Sequence, residues 1–216
     1  MKADLHIHSL HSDGLYSVDE ILVMAKDRGL DVISITDHDN YDGVINVNPN
    51  AGIKVILGLE LTTTFNNEAV HLLGYFKSEE QLKKLKSLLD EQITARKVRA
   101  KEILEKLETF GIKLDPSFIF EKNGISRGTI ALEIIKQGYN YTMTSVFEEL
   151  LGVGRPAYIS VNKTETSIGI KAIKDAGGLA VLAHPMLLKV VDPVDIIKLG
   201  VDGIEVKYPH HLDLES

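Results

Sequence analysis

Histidine and carboxylate side chains stand at the ends of apolar runs in this sequence. His6 and His8 are two residues apart in "DLHIHS", a segment whose pattern predicts a strand. Side chains at positions i and i+2 of a strand point to the same face, so both imidazoles can bind one metal ion. Asp37 and His38 end a second apolar run, "DVISITDH". This spacing predicts a metal site at the carboxyl ends of several strands.

The same placement extends to nearly all histidines of the chain. Of the eight histidines, all but His11 lie at or just beyond the end of an apolar run. A single histidine is more often an ordinary hydrogen-bonded side chain than a ligand, but that interpretation would have to hold for the whole set. Asp13 in "HSDG" and Glu60 in "GLEL" share the placement, and a Glu carboxylate can bridge two cations. Paired ions activate a water molecule and bind phosphoryl oxygens, so the pattern favours hydrolysis of a phosphate ester.

The composition limits the fold and the kind of metal site. Of the 216 residues, 44% are hydrophobic and 25% are charged, which is typical of a globular protein with a buried core. The length fits one domain of barrel size, or one domain with an insertion. The chain has no cysteine, so disulfides and thiolate ligands are excluded. The ligands must then be nitrogen and oxygen atoms, which suit Mn, Fe, Zn or Mg.

The charge and hydropathy of the chain exclude some partners. A net charge of −7 argues against general binding of duplex DNA. A small anionic substrate stays compatible with this charge, because bound cations reverse the local field. No apolar run approaches the length of a membrane span, and the first residues predict a strand rather than a signal sequence. The sequence therefore predicts a cytoplasmic protein without a membrane partner.

The order of the predicted elements indicates an α/β fold with a helical insertion. Strand and helix patterns alternate in residues 1–77 and return in residues 152–216, and the near-continuous apolar strands predict a parallel sheet or barrel. The link 39–52 is short for a parallel crossover connection. Residues 78–151 contain only helical patterns. We interpret them as an insertion into the alternating fold.

The motifs, taken in order, resemble those of a known family. "DLHIHSLHSDG", "ISITDHD", "GLEL", "HLLGY", "AVLAHP" and "GIEVKYPHH" are similar to the successive motifs of the polymerase-and-histidinol-phosphatase (PHP) superfamily of metal-dependent phosphoesterases. "GISRGTIALEIIKQGY" and "VFEELLGVGRPAYI" resemble the insertion of its nucleotide-phosphatase and exoribonuclease subgroup. The resemblance runs from Lys2 to His211. It implies a distorted (β/α)7 PHP barrel formed by residues 1–77 and 152–216, with residues 78–151 as a helical cap.

The resemblance also implies roles for particular side chains. It implies two to three divalent ions (Mn, Fe or Zn), held by His6, His8, Asp13, His38, Glu60, His71 and His184. By motif position, His6 and His8 hold one ion, Asp13 and His38 hold a second, and Glu60 bridges toward a third that His71 and His184 share. The implied catalytic residues are His38, Asp37 and His211. In this scheme Asp37 and Asp39 orient imidazoles, and His211 lies near the phosphate.

The chain departs from the family pattern at two places that affect the site. The family has a further Asp-x-His pair on a last strand, which residues up to Ser216 do not include. The resemblance then implies either a fragment or two metal positions that each lack one ligand. Thr129 in "SRGT" stands where relatives commonly carry a histidine, so a substrate contact is also in question.

Arginines of the insertion are the candidate phosphate ligands. Arg127 and Arg155 both lie beside glycine, where a guanidinium can grip a phosphate in a bidentate manner. The alternative is that they cap helices or pair with Glu133 or Glu149. Arg96 is a weaker candidate for substrate binding. For Arg96, as for its neighbour Arg99, a solvated helix face is the favoured interpretation.

The leading hypothesis is a metal-dependent phosphoesterase. Its partner would be a small phosphorylated substrate, a nucleotide or short oligonucleotide of the AMP or 3′,5′-nucleoside bisphosphate type, attacked by a metal-activated water. Two alternatives stay open, a histidinol-phosphate-type phosphatase of small metabolites and a non-catalytic module that binds metal or phosphate. Turnover with and without Mn²⁺ separates enzyme from module, and a panel of substrates separates the two enzymes.

Overall fold

The structure is a computed structural model that describes residues 1–45, 47, 52–121, 125–160 and 164–208. Within these residues no helix is both long and apolar enough to cross a membrane. The predicted catalytic residue His211 lies outside the described residues.

One mixed sheet carries the candidate site. Its strands run in the order β1-β2-β3-β4-β6-β7, and β5 pairs with β3. The strands are β1 (Ala3–Ile7), β2 (Val32–Ile35), β3 (Lys54–Phe65), β4 (Glu68–Phe76), β5 (Thr164–Glu165), β6 (Leu179–Leu182) and β7 (Gly203–Ile204). Strands β1, β2 and β3 are parallel, and so are β6 and β7, whereas β4 is antiparallel to both β3 and β6.

The expectation of a parallel sheet is therefore wrong around β4. A hairpin joins β3 to β4 through Asn66 and Asn67, whose φ angles are 47° and 65°. Asn tolerates this left-handed conformation, and a two-residue turn with both φ angles positive matches the twist of the flanking strands. The hairpin places His71 of β4 opposite Thr62 of β3, so His71 reaches the site from an antiparallel strand.

Short helices connect the strands on either side of the sheet. Helix α1 (Val18–Asp27) begins with a capping box between Ser17 and Glu20, as the sequence predicted. The short link between β2 and β3 contains one turn of helix, α2 (Asp42–Ile45), and still joins parallel strands.

Most helices of the insertion share a core of their own, whereas Leu82 of the first one packs in the sheet core. The insertion helices are α3 (Glu79–Lys83), α4 (Lys86–Thr109), α5 (Phe118–Glu121), α6 (Arg127–Lys136) and α7 (Met143–Val146), followed by a π-helical turn (Phe147–Leu151). Ile103 and Leu107 of α4 pack with Ile130 and Ile134 of α6 in a buried cluster that extends to Ala157. The cluster thus continues a few residues beyond the predicted boundary at 151.

The sheet core and helix α4 fix the position of the cap. Helix α8 (Thr166–Asp175) packs on the sheet, where Gly169 approaches β3 so closely that a Cβ would lie 2.7 Å from Thr63 Cγ2. Leu89, early in α4, belongs to this sheet core, whereas Ala100 belongs to the helical core. A single long helix therefore joins the two cores, and the last connection of the sheet is made by α9 (Pro193–Lys198).

Candidate metal centre

Five of the seven predicted ligands, all histidines, converge on a sixth, the carboxylate of Glu60 on β3. Glu60 is 1% exposed. Its Oε2 lies 3.2 Å from His6 Nε2, 2.9 Å from His8 Nε2 and 3.2 Å from His38 Nδ1. His38 follows β2 and forms an isolated bridge with Glu60, which aligns the two strand ends.

The second oxygen of Glu60 faces a different pair of imidazoles. Its Oε1 lies 2.9 Å from His71 Nδ1 on β4 and 2.9 Å from His184 Nε2 just after β6. The carboxylate therefore has three imidazoles on one oxygen and two on the other. A carboxylate placed in this way can bridge two cations.

Asp13 completes the cluster from the loop that follows β1. Its Oδ1 lies 2.9 Å from His8 Nδ1 and its Oδ2 lies 3.6 Å from His38 Nε2. Asp13, His8 and His38 form one of three groups whose ligand atoms all lie within 4.8 Å of one another. The three groups are His6, His8 and Glu60; His8, Asp13 and His38; and His38, Glu60 and His71.

Two features of the geometry fit bound cations better than a set of hydrogen bonds. His6 Nε2, His8 Nε2 and Glu60 Oε2 form a triangle with sides of 3.1, 3.2 and 2.9 Å. Ligands bound at about 2.1 Å and at right angles to one another lie about 3.0 Å apart. In the described part of the chain, His38 Nδ1 is the buried side-chain atom without a hydrogen-bond partner, although Glu60 Oε2 is 3.2 Å away. The donor set of nitrogen and oxygen atoms suits Mn, Fe or Zn.

The electrostatics of the cluster favour positive charge at its centre. Burial opposes ionisation of Glu60, but the surrounding imidazoles hold its pKa well below the usual range. Burial also opposes protonation of His6 and His8. Hydrogen bonds with Glu205 and Glu60 nevertheless raise the pKa of His6 to about 9, and those with Asp13 and Glu60 raise the pKa of His8 to about 10. Complete burial lowers the pKa of His38 to about 3. Protons and metal ions thus compete for the same nitrogen atoms.

Asp37 supports the loop that carries Asp13. Its Oδ1 accepts hydrogen bonds from the Ser9 N–H (2.7 Å) and the Ser12 hydroxyl (2.5 Å), and its Oδ2 accepts one from the Ser9 hydroxyl (2.7 Å). The hydrogen bonds described for Asp37 come from Ser9 and Ser12, which occupy both of its oxygens. Ser12 Oγ lies 3.4 Å from His8 Nδ1, so any influence on an imidazole passes through this hydroxyl.

Asp39 and Arg96 join the metal side of the site to the cap. Arg96 of α4 donates from Nε (2.7 Å) and Nη2 to Asp39 Oδ2, from Nη2 to the Thr62 hydroxyl, and from Nη1 to the Ile125 carbonyl (3.1 Å). Asp39 has a φ of 47°, and its Oδ1 accepts the Thr62 N–H at 2.7 Å. Arg96 is 8% exposed, so it is not part of a solvated helix face.

A cavity of about 490 Å³ lies between this cluster and the cap. One wall contains the metal-cluster residues Asp13, His38 and His71. The remaining lining comes from Thr62, Ala69, Gln92, Arg96, Arg99, Ser126, Arg127, Gly128, Met143, Phe147 and Leu187. Asp37 does not line the cavity, so it is not placed to contact a substrate there.

Two arginines bring positive charge to the cap side of the cavity. Arg99 Nε donates to the Ile159 carbonyl at 2.9 Å, and Arg127 Nη1 donates to the Leu151 carbonyl at 3.0 Å. The Arg127 guanidinium also lies over the rings of Phe147 and Tyr158, 5.7 and 5.4 Å from their centroids. Burial, with the charges of neighbouring arginines, lowers the pKa of Arg99 to about 10. Neither arginine forms an ion pair within the residues that the structure describes, and the predicted alternatives Glu133 and Glu149 do not pair with Arg127.

Arg155 does not join them. Its side chain is exposed, and it is not among the residues that line the cavity. An arginine next to glycine is expected to lie in a loop, but the sequence does not show whether that loop faces the cavity.

Glu205 is the site residue that the sequence reasoning missed. Its Oε1 lies 3.0 Å from His6 Nδ1, and its Oε2 accepts the His184 N–H at 2.7 Å. Glu205 comes directly after β7, which is the same placement that identified the other candidates.

Comparison with known proteins identifies the family. Residues 4–155 match the PHP domain. The chain belongs to the PHP domain family. It is 30% identical over 216 residues to a protein of Haemophilus influenzae named 5′-3′ exoribonuclease, with 95% of this chain and 78% of that protein aligned. It is also 30% identical over 226 residues to a 3′,5′-nucleoside bisphosphate phosphatase of Chromobacterium violaceum, with 96% of this chain and 77% of the relative aligned.

A solved structure shows the same fold. A protein of Bifidobacterium adolescentis that is proposed to be a metal-dependent phosphoesterase superimposes with a TM-score of 0.83 at 25% identity, over 95% of this chain and 77% of the other. The resemblance drawn from the sequence motifs and the predicted α/β PHP fold are thereby confirmed, whereas the closed (β/α)7 arrangement stays a prediction.

Proposed function

We propose that this PHP protein is a metal-dependent phosphoesterase that hydrolyses a phosphate ester of a nucleotide or short oligonucleotide. The observation that carries the proposal is one cavity with candidate cation ligands on one wall and, on the other, two arginines that pair with no carboxylate among the described residues. A phosphorylated substrate is the class of molecule that both walls accept. The names of the two relatives, an exoribonuclease and a nucleoside bisphosphate phosphatase, support this substrate class.

The proposed metal centre contains two to three divalent ions (Mn, Fe or Zn). His6, His8, Asp13 and His38 would hold ions on the Oε2 side of Glu60, and His71 and His184 would hold one on the Oε1 side. When bound, such ions supply a nucleophilic water and neutralise charge on the phosphoryl oxygens. His38 borders the cavity and is the catalytic residue that we place closest to the substrate.

The chain itself orients the substrate between the two walls. Among the described residues, Arg127 and Arg99 each donate one hydrogen bond to a carbonyl, which leaves other N–H groups that can bind an anionic oxygen of the substrate with charge-assisted hydrogen bonds. Phe147 and Tyr158 hold the plane of the Arg127 guanidinium, which reduces the freedom lost on binding. Arg96, by contrast, binds Asp39 and so fixes the cap against the metal side.

The two walls belong to the two proposed parts of the chain. We propose that residues 1–77 and 152–216 form the metal-binding barrel and that residues 78–151 form the cap that selects the substrate. A cytoplasmic location is part of this proposal, since nucleotides and short RNA fragments are intracellular metabolites.

Turnover of metal-reconstituted protein tests the proposed function. Protein stripped with a chelator is reloaded with Mn²⁺, Zn²⁺ or Fe²⁺ and assayed for phosphate or nucleotide release. The substrates are a nucleoside 3′,5′-bisphosphate, AMP, a 5′-phosphorylated oligoribonucleotide and histidinol phosphate. We expect metal-dependent turnover of one or more of the first three, and none after His38→Ala. Turnover of histidinol phosphate alone would favour the small-metabolite phosphatase, and metal binding without any turnover would favour the non-catalytic module.

A further inference from the structure

The Glu205 carboxylate lies where the two ends of the sheet meet. In the described sheet, β1 and β7 are the terminal strands and do not pair with each other. Glu205, directly after β7, reaches His6 of β1 through its Oε1 at 3.0 Å. The side chain is 11% exposed, and that of His6 is 7% exposed. A buried polar contact therefore joins the two end strands beside the imidazole cluster.

The Glu205 carboxylate contacts the ring nitrogen of His6 that points away from the cluster. His6 Nε2 faces His8 and Glu60, whereas its Nδ1 faces Glu205. An Nδ1–H donated to Glu205 leaves the Nε2 lone pair directed at the centre of the cluster. Partners of this kind fix the tautomer and ring orientation of a metal-binding histidine.

The other oxygen of Glu205 holds a second candidate ligand. Glu205 Oε2 accepts the backbone N–H of His184 at 2.7 Å, and the Glu205 N–H donates to the Leu182 carbonyl at 2.8 Å. His184 has φ 27° and ψ 60°, a conformation that residues other than glycine rarely adopt. This backbone directs the imidazole to Glu60, with His184 Nε2 2.9 Å from Glu60 Oε1. Strained backbone persists where its surroundings determine it.

We propose that Glu205 is a positioning residue that sets the geometry of the metal centre from both sides of Glu60. One oxygen aligns His6 on the Oε2 side, and the other holds His184 on the Oε1 side. This role rests on the proposed function, because it presupposes that the cluster binds cations. Glu205 touches neither the ions nor the substrate.

The matched variants are Glu205→Gln and Asp202→Asn. A Gln at 205 has one acceptor oxygen, and its amide group would meet either His6 Nδ1–H or His184 N–H as a second donor, so one contact is lost. Asp202 lies just before β7, accepts the Ala180 N–H at 2.9 Å and pairs with Lys174, and none of the contacts described for it involves an imidazole. Both variants replace a carboxylate beside β7 with an amide of nearly the same shape.

Competition with a chelator measures the Zn²⁺ affinity of each variant without use of activity. We expect Glu205→Gln to bind Zn²⁺ about 10- to 100-fold more weakly than the unaltered protein. We expect Asp202→Asn to keep the original affinity. Equal affinity of Glu205→Gln and the unaltered protein would overturn the role, as would an equal loss in Asp202→Asn. If the unaltered protein binds no Zn²⁺, Mn²⁺ or Fe²⁺, the metal centre itself is wrong and the role of Glu205 falls with it.

A second variant separates position from charge. Glu205→Asp keeps the negative charge, but its shorter side chain cannot keep both contacts. We expect weaker Zn²⁺ binding with an unchanged circular dichroism spectrum in the metal-free state. Full affinity in Glu205→Asp would show that charge suffices and would overturn a positioning role. This variant also serves as the test if Glu205→Gln does not fold.

Discussion

The two walls of the cavity are built from different kinds of structure. On the metal side, each ligand lies on a strand or within a few residues of a strand end, and the strands align them through backbone pairing. On the cap side, Arg99 lies in the middle of α4 and Arg127 lies at the start of α6, so only helix packing brings them together. The metal wall can therefore be recognised from local motifs, whereas the arginine wall depends on contacts between distant segments.

The two walls also differ in the groups that surround their charged side chains. Glu60 is surrounded by five imidazoles, so the metal wall offers carboxylate oxygens and imidazole nitrogens to cations. Within the described residues, Arg99 pairs with a carbonyl, and Arg127 pairs with a carbonyl and lies over two aromatic rings. The metal wall brings side chains that can bind cations together, whereas the cap wall presents two guanidinium groups that can bind an anion. Under the proposed function, the phosphorylated substrate supplies this negative charge.

The largest expected effect is on the metal wall. Glu60→Gln removes the one charge that both sides of the cluster share, so we expect loss of bound metal and of nearly all turnover. The loss should exceed the about 10- to 100-fold that removal of a supporting partner costs. Metal content of the purified variant and kcat on the best nucleotide substrate measure it. If the variant kept both its metal content and its kcat, Glu60 would not be the residue on which the metal wall depends.

Removal of one cap arginine should have a smaller effect that is confined to the substrate. Arg127→Ala is expected to cost about 2 kcal/mol of transition-state binding, or about 30-fold in kcat/KM, on the scale of charge-assisted hydrogen bonds. Metal content should not change. Arg155→Ala is the matched control, because Arg155 is exposed and lies outside the cavity lining. An unaltered kcat/KM in Arg127→Ala, or an equal loss in the control, would remove Arg127 from the substrate site.

Substitution of Arg96 should lower stability, whereas substitution of Arg99 should lower activity on the substrate. Arg96→Ala leaves Asp39 buried without its cation, and loss of one partner of a buried pair costs about 3–5 kcal/mol of unfolding free energy. Arg99 is only partly buried and has no carboxylate partner in the described chain, so Arg99→Ala should lower kcat/KM with little change in stability. Urea denaturation and steady-state kinetics on both variants separate the roles. A stable Arg96→Ala protein with impaired substrate binding would reverse the assignment.

The smallest expected effect concerns the loop beside Leu187, between the two walls. Glu68 accepts the N–H groups of Lys189 (2.6 Å), Val190 (3.0 Å) and Val191 (2.7 Å). Burial opposes ionisation, but these hydrogen bonds lower the pKa of Glu68 below 4.5. A carboxylate with a lowered pKa in the folded state stabilises the protein above its unfolded-state pKa, and this contribution is lost as the pH falls through the folded-state value.

Glu68→Gln should therefore lower the Tm at pH 7. The difference in Tm from the unaltered protein should shrink as the pH falls below about 4.5. Differential scanning calorimetry of both proteins across this range measures it. A difference that stays constant with pH would show that the ionised form of Glu68 does not hold the loop.

The metal wall could be predicted from the sequence better than the arginine wall. The side chains predicted as ligands lie together around Glu60, although Glu60 and His71 lie inside β3 and β4 rather than at strand ends. Glu205 directly follows β7 and so had the placement that the sequence analysis looked for. The antiparallel β4 was not predicted, since the turn at Asn66 and Asn67 was not recognised as a hairpin signal. Arg155 and Arg99 were ranked in the wrong order, because adjacency to glycine says nothing about which helix face borders a cavity. Burial of Arg96 against Asp39 likewise required the packing of α4 on the strand ends.

Anomalous scattering from crystals loaded with Zn²⁺ or Mn²⁺ tests the central claim most directly. That claim is that Glu60 bridges ions on its two sides. It predicts peaks on both sides of the carboxylate, with highest occupancy on the side of His71 and His184, where all the implied ligands belong to the described residues. Metal found only beside His6 and His8, or no metal within reach of Glu60, would contradict it.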